Sequence, residues 1–196
     1  LNGAGRRITD FVGRLTAVLF GPEQLDLVTG SPGQRRAYLD EALSQIDRAY
    51  YRAAVVYTRV VHQRNQLLKQ HREREVHPDE LLYWNAQLVE AGSLLLERRA
   101  HCLLELAPLA AAQHERLAPG EGQLELDYET KLYRGSGGWQ RLAASSMADI
   151  QDEFRRWLTL EADRELAQGS SVVGPHRDDL LLAIDGKPVD KFGSRG

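Results

Sequence analysis

Residues 174–196 read GPHRDDLLLAIDGKPVDKFGSRG, in which a charged cluster, a hairpin and a small-residue turn follow one another. Asp185-Gly186 after the apolar run 180–184 predicts a two-residue hairpin. Phe192-Gly193-Ser194-Arg195-Gly196 has the composition of a loop that presents backbone N–H groups and a hydroxyl at a helix start, where the macrodipole attracts an anion such as phosphate. A plain surface turn has the same composition, because Gly and Ser dominate turns for conformational reasons. The helix that would follow this turn is not in the sequence. At the other end, Leu1-Asn2-Gly3 reads as a strand entering an Asn-Gly turn, so the expectation is a fragment cut at both ends.

Working back from that stretch, residues 147–167 predict one helix with Ile150, Phe154, Trp157 and Leu158 on a single side, ended by Gly169. Leu124, Leu126 and Tyr128 alternate with Glu125, Asp127 and Glu129, the pattern of a half-buried strand with an acidic outer face. Gly135-Ser136-Gly137-Gly138 reads as a loop. Before these lies a long helical arm. Its first helix, from Asp47 to about Gln70, places Ala49, Ala53, Val56, Val60 and Leu67 inward, with Arg48, Arg52 and Arg59 on the opposite side. His77-Pro78-Asp79 breaks and restarts the helix. The second helix repeats Leu81/Leu82, Leu88/Val89, Leu95/Leu96 and Cys102/Leu103 at sevenfold spacing, so the two predict an antiparallel hairpin; Pro108 kinks or ends the second.

Nearer the start, Ser31-Pro32-Gly33-Gln34 is a capping box opening a helix to about Ile46, with Ala42, Leu43 and Ile46 inward. Thr9 caps a short helix through Leu15, and residues 16–20 (TAVLF) read as a buried strand. The fold class is mixed α/β. Residues 1–30 and 169–196 form parts of one body, and residues 31–168 form a mainly α-helical lobe with a small β element near 122–133.

The chain has 196 residues and a formal net charge of −3, with 42% hydrophobic and 27% charged residues, ordinary for a globular protein. A single cysteine, Cys102, excludes an internal disulfide framework, and no apolar run approaches the ~20 residues of a membrane span, so the expected location is cytoplasmic with no membrane partner. Net charge offers no global attraction to nucleic acid. Any such contact is local, and the Arg48, Arg52, Arg59 stripe is the candidate, against the plainer reading of a solvated helix face.

His176, Arg177 and Asp178, with Asp179 beside them, admit three readings: a salt-bridged structural turn, a phosphate- or nucleotide-proximal cluster, or a metal site used by a hydrolase. Adjacent carboxylates on an extended segment point to opposite faces, and the other histidines lie on or beside the arm, so no metal is assigned. Cys102 lies in the apolar seam and reads as a small buried hydrophobe. No catalytic residue is assigned. The pattern G-x-x-x-x-G-K-[ST] is absent, so this sequence alone holds no triphosphate in that manner.

Two strings carry a resemblance: Pro22-Glu23 with Leu27-Val28-Thr29-Gly30-Ser31-Pro32-Gly33-Gln34-Arg35-Arg36-Ala37-Tyr38-Leu39-Asp40, and Gly174-Pro175-His176-Arg177-Asp178-Asp179-Leu180. Together with Gln63-Arg64-Asn65-Gln66-Leu67-Leu68-Lys69 in the arm, they resemble the RecF family of bacterial recombinational-repair proteins. The match runs over the whole chain and covers the middle and later part of a family member. It implies part of a head similar to ABC-type and SMC-like ATPases, interrupted by the helical lobe, that binds DNA and dimerises on ATP with Mg. Gly193, Ser194, Arg195 and Gly196 then match the start of the ABC signature motif, whose Ser and Gly contact the γ-phosphate held by the opposite subunit. The phosphate-binding loop would lie upstream and the Walker B carboxylates downstream, so the resemblance, which implies a weak DNA-dependent ATPase, leaves open whether this fragment is an enzyme. The implied work is loading recombinase at single-strand gaps beside duplex DNA, with RecO and RecR proteins, in DNA recombination, replication-linked repair and the SOS response. A rival reading is a non-catalytic helical interaction module whose leucine seam pairs with another chain.

Overall fold

The computed structural model describes residues 12, 16–19, 21, 25–71, 78–135 and 137–189. After a single turn α1 (Asp26–Thr29), α2 (Pro32–Ile46) starts on the predicted capping box. The Gln34 N–H donates to Ser31 Oγ at 3.4 Å, and Gln34 Oε1 accepts from the Ser31 N–H at 2.7 Å. Both are otherwise orphaned donors of a helix start. Leu39 and Leu43 are buried as the period requires, but Ile46, expected inward, is 64% exposed. The helix stops there, because Asp47 Oδ1 accepts from the N–H groups of Ala49 and Tyr50 and begins α3 (Arg48–Gln70) in a new direction.

The inward face of α3 is Tyr50, Ala53, Tyr57, Val60, Arg64 and Leu68, a clean i, i+3, i+4 series. Two expected core positions are corrected by it: Ala49 is exposed and Val56 is 40% exposed. The face is rotated because tyrosine rings bury more apolar area than alanine or valine once their hydroxyls find partners, which both do here.

The second arm helix, α4 (Pro78–Leu117), is 40 residues and so about 60 Å long. It continues through Pro108 rather than ending there; the ring removes one N–H, and the hydrogen bonds on either side hold the helix together. Leu88, Val89, Leu95, Leu96 and Leu103 are buried within this chain. The seam is therefore filled intramolecularly, by α3 on one side and later helices on the other, which corrects the rival reading of a seam kept for a second chain. Leu82 at the arm's far end is the exception, at 62% exposed. Helices α3 and α4 meet the later helix that carries Phe154 at Gly92, where an added Cβ would stand 2.6 Å from Phe154 and 2.8 Å from Tyr57.

Gly138, expected in a loop, is the first residue of α5 (Gly138–Ala144), a helix that the sequence pattern did not predict. The predicted helix over 147–167 is two, α6 (Met147–Leu160) and α7 (Ala162–Gln168), broken at Glu161 and ended by Gly169 at φ 65°. Strands β1 (Leu124–Glu129), β2 (Asp179–Ile184) and β3 (Lys187–Pro188) form an antiparallel sheet in the order β1-β2-β3. Tyr128 faces Leu180 across the first pair, and Asp185 and Gly186, at φ 49° and 72°, make the predicted hairpin turn. The fold is mixed α/β, mainly helical with this small sheet.

The expected buried strand over 16–20 is not found. Residues 16–19 are irregular and exposed, Val18 at 99%. A strand needs a hydrogen-bonded neighbour, and among the described residues none pairs with this run. The expected Asn-Gly turn at the start, the helix capped by Thr9 and the turn Gly193-Ser194-Arg195-Gly196 lie outside the described residues.

Candidate functional site

The two hallmark strings lie side by side although some 140 residues separate them. Arg35 of α2 forks onto the first residue of β2, Nε to Asp179 Oδ1 at 2.8 Å and Nη2 to Oδ2 at 2.6 Å, while Nη1 donates to the Gly30 carbonyl. Its neighbour Arg36 donates from Nη1 to the Asp178 carbonyl at 2.6 Å. Arg99, buried on α4, joins the remaining members. It donates to Tyr50 Oη at 2.9 Å, to Tyr128 Oη and the Pro175 carbonyl at 2.8 Å each, and to Asp40 at 2.7 Å. Tyr128 in turn donates to Asp178 Oδ2 at 2.9 Å, and Tyr50 donates to Asp40. A second buried knot stands beside it, in which Arg64 pairs with Glu165 and donates to Ser171 Oγ at 2.8 Å and Asn85 Oδ1 at 2.7 Å.

The expected cluster His176, Arg177, Asp178 is divided by the fold. Asp178 is 2% exposed. Burial is the main cause that pushes its carboxyl up to about 7, against the opposing pull of the Arg99 charge. His176 is gripped at both ring nitrogens, Nδ1 by Tyr57 Oη at 2.7 Å and Nε2 by the Ser171 carbonyl at 3.2 Å. A carbonyl accepts, so Nε2 carries the hydrogen and Nδ1 accepts from the tyrosine. Burial holds the ring neutral, its pKa down at about 4. With both nitrogens engaged, the alternative of His176 and Asp178 as metal ligands has no free lone pair on the ring. Among the described residues no group of three or more His, Cys, Asp or Glu is arranged to hold a metal. Arg177 alone of the three faces solvent, its guanidinium fixed by two donations to the Ser171 carbonyl at 3.0 and 2.8 Å.

Arg48, Arg52 and Arg59 are all exposed, on the side of α3 opposite its buried tyrosines, and His62 and Gln66 continue their row. The helix holds five Arg/Lys and no Asp or Glu. The sequence pattern assigns Arg35, Asp40, Tyr57, Arg64, Arg99 and Tyr128 to no site, although Arg35, Asp40 and Arg64 stand in the strings that carry the resemblance. Spacing held a signal for two of them: Arg64 stands seven residues after Tyr57 on the buried face, and Arg99 falls between Leu95 and Leu103 on the seam.

No protein-family model matches the chain. Curated proteins named DNA replication and repair protein RecF do. That of Roseiflexus castenholzii is 41% identical over 194 residues, 97% of this chain and 48% of the relative. That of Thermomicrobium roseum is 42% identical over 201 residues, 100% of this chain and 51% of the relative. The chain belongs to the RecF family. It spans about half the length of the curated relatives it matches. A solved structure described as the recombination mediator protein RecF with ATPrS in the RecFOR pathway superimposes with a TM-score of 0.86 at 26% identity, covering 96% of this chain and 48% of that one. A second, described as RecF with ATP in the same pathway, gives 0.83 at 26% identity, covering 94% and 47%. In this RecF-family chain the two strings recognised in the sequence are thus one interlocked unit.

The unit predicts an unusual pH profile of stability. His176, moved down from 6.5 to about 4, takes up a proton on unfolding between those values, so its share of stability is lost as pH falls through that window. Asp178, moved up from 3.8 to about 7, releases a proton on unfolding, so its share is lost as pH rises through its own window. The two slopes oppose and largely cancel between about pH 4 and 6.5. His176→Asn should unmask a stability that falls by a few kcal/mol from about pH 4 to 7, and Asp178→Asn one that rises over about pH 4 to 6.5. Chemical denaturation across pH measures both; parallel flat profiles would contradict the assigned protonation states.

Proposed function

We propose that the complete protein is a DNA replication and repair protein of the RecF type, which binds DNA at single-strand gaps beside duplex and dimerises on ATP. Its work is recombinase loading in recombination, replication-linked repair and the SOS response, with RecR and RecO proteins as partners. The observation that supports this best is the exposed, acid-free face of α3. Arg48, Arg52 and Arg59 stand there on a rigid helix with no carboxylate of that helix to neutralise them, as a sequence-independent contact with phosphates requires. Nucleotide enters through the likeness to RecF structures with ATP and ATPrS. In this reading ATP with Mg is held by another part of the protein, and Gly193, Ser194, Arg195 and Gly196 meet its γ-phosphate from the opposite subunit. Residues 1–30 and 169–196 belong to the ATPase head and residues 31–168 to the DNA-facing lobe. No residue of this chain takes a catalytic role. No described helix is long and apolar enough to cross a membrane, and a cytoplasmic location is part of the proposal.

The test is replacement of Arg48, Arg52 and Arg59 together by alanine in a full-length protein carrying this sequence. DNA affinity should fall for all sequences, and the salt dependence should flatten by up to about 0.9 in slope for each duplex phosphate that the arginines no longer neutralise. The fold should be retained, since these side chains lie opposite the buried face. Unchanged affinity and slope would restore the solvated-face reading.

A further inference from the structure

We infer that Tyr57 and His176 form a positioning joint through which the DNA-facing helix α3 and strand β2 are held in one register, so that nucleotide state and DNA binding communicate across it. The inference rests on the proposed reading of α3 as the DNA contact.

Each side of α3 has a separate task. Its outer side carries Arg48, Arg52 and Arg59, and its inner side reaches the segment 171–178 directly. Tyr57 Oη bonds His176 Nδ1 at 2.7 Å, Arg64 Nη1 donates to Ser171 Oγ at 2.8 Å, and Asn65 Oδ1 accepts from the Ser171 N–H at 2.7 Å. The segment is stiff in itself, because the Ser171 carbonyl accepts from both His176 and Arg177. At its end the Asp178 carbonyl is held by Arg36, and Asp179, gripped by Arg35, is already the first residue of β2. No free residue separates the last of these contacts from the strand. Gly174, at φ 121°, lets the chain pass so close to α3 that an added Cβ would stand 2.3 Å from Tyr57 Oη.

Packed cores pass on rigid displacements and do not deform continuously, so a shift of α3 against α4 is passed toward β2 through these contacts, of which Tyr57 to His176 lies nearest the strand. Arg64 and Arg99 knit the fold itself. Tyr57 to His176 is a single hydrogen bond between neutral groups, the contact that can be removed with the least disturbance.

The experiment uses a full-length protein carrying this sequence, with a fluorescently labelled gapped duplex titrated without nucleotide and with ATP. Coupling is reciprocal, so the ratio of the two affinities measures it from either side. The wild type should show a ratio of about 5-fold or more. Tyr57→Phe should keep nucleotide-free DNA affinity and ATP binding while that ratio falls toward 1. His176→Asn, which keeps an acceptor near the position of Nδ1, should retain much of the ratio, and His176→Leu should lose it. A merely structural bond would lower melting temperature without moving the ratio. A ratio kept in both Tyr57→Phe and His176→Leu overturns the joint while leaving the DNA reading intact. A wild type with no ratio at all, or with affinity unaffected by the arginine triple replacement, overturns the reading on which the joint rests.

Discussion

Arg64→Leu is expected to destabilise the protein by roughly 3–5 kcal/mol, the loss typical of breaking a buried ion pair from one side. Arg64 and Glu165 are 2% and 1% exposed, so the carboxylate left behind has no route to water. Its remaining bond is from the Val172 N–H at 2.7 Å, and Ser171 Oγ and Asn85 Oδ1 lose their donor as well. Leucine fills part of the vacated volume and supplies none of these hydrogen bonds. The double variant Arg64→Leu/Glu165→Gln should recover part of the loss, because a neutral amide is far cheaper to bury and still accepts from Val172. Equilibrium denaturation of the two singles and the double gives the coupling energy directly. A loss below about 1 kcal/mol for Arg64→Leu would mean that water reaches the carboxylate and that the knot is looser than described.

Ser194→Arg should abolish ATP-dependent dimerisation in a full-length protein while leaving the monomer's affinity for ATP nearly intact. The argument is chemical: a hydroxyl and backbone donors at a helix start bind phosphate well, but residues 1–196 include no glycine-rich loop of the G-x-x-x-x-G-K-[ST] kind to hold the rest of a nucleotide. In the proposed function Ser194 serves a nucleotide carried by another subunit, where a bulky side chain would obstruct the approaching γ-phosphate. Nucleotide titration and light scattering on the same variant separate the two effects. Dimerisation that survives the substitution, or monomer affinity that collapses with it, would return residues 192–196 to an ordinary surface turn.

Features that depend on a few adjacent residues were legible in the sequence. The Ser31 capping box, the Asp185-Gly186 hairpin, the alternation from Leu124 to Glu129 and the acid-free run from Arg48 to Gln70 each contain their own geometry. They need no distant partner to be read. The strings of residues 27–40 and 174–180 could also be recognised as belonging together, though not why. That they interlock through Arg35 on Asp179 and Arg36 on the Asp178 carbonyl only tertiary structure decides, because nothing local tells an arginine which carboxylate or carbonyl it will meet some 140 residues away. The same cause moved the inward face of α3. Helical period says which residues share a side, but the partner surface selects the side, and Tyr50, Tyr57 and Arg64 became core residues because α4 and the segment 171–176 supply bonds for their polar ends. It also decided against a strand at residues 16–19, where β propensity alone cannot supply the neighbouring strand whose hydrogen bonds would make it one.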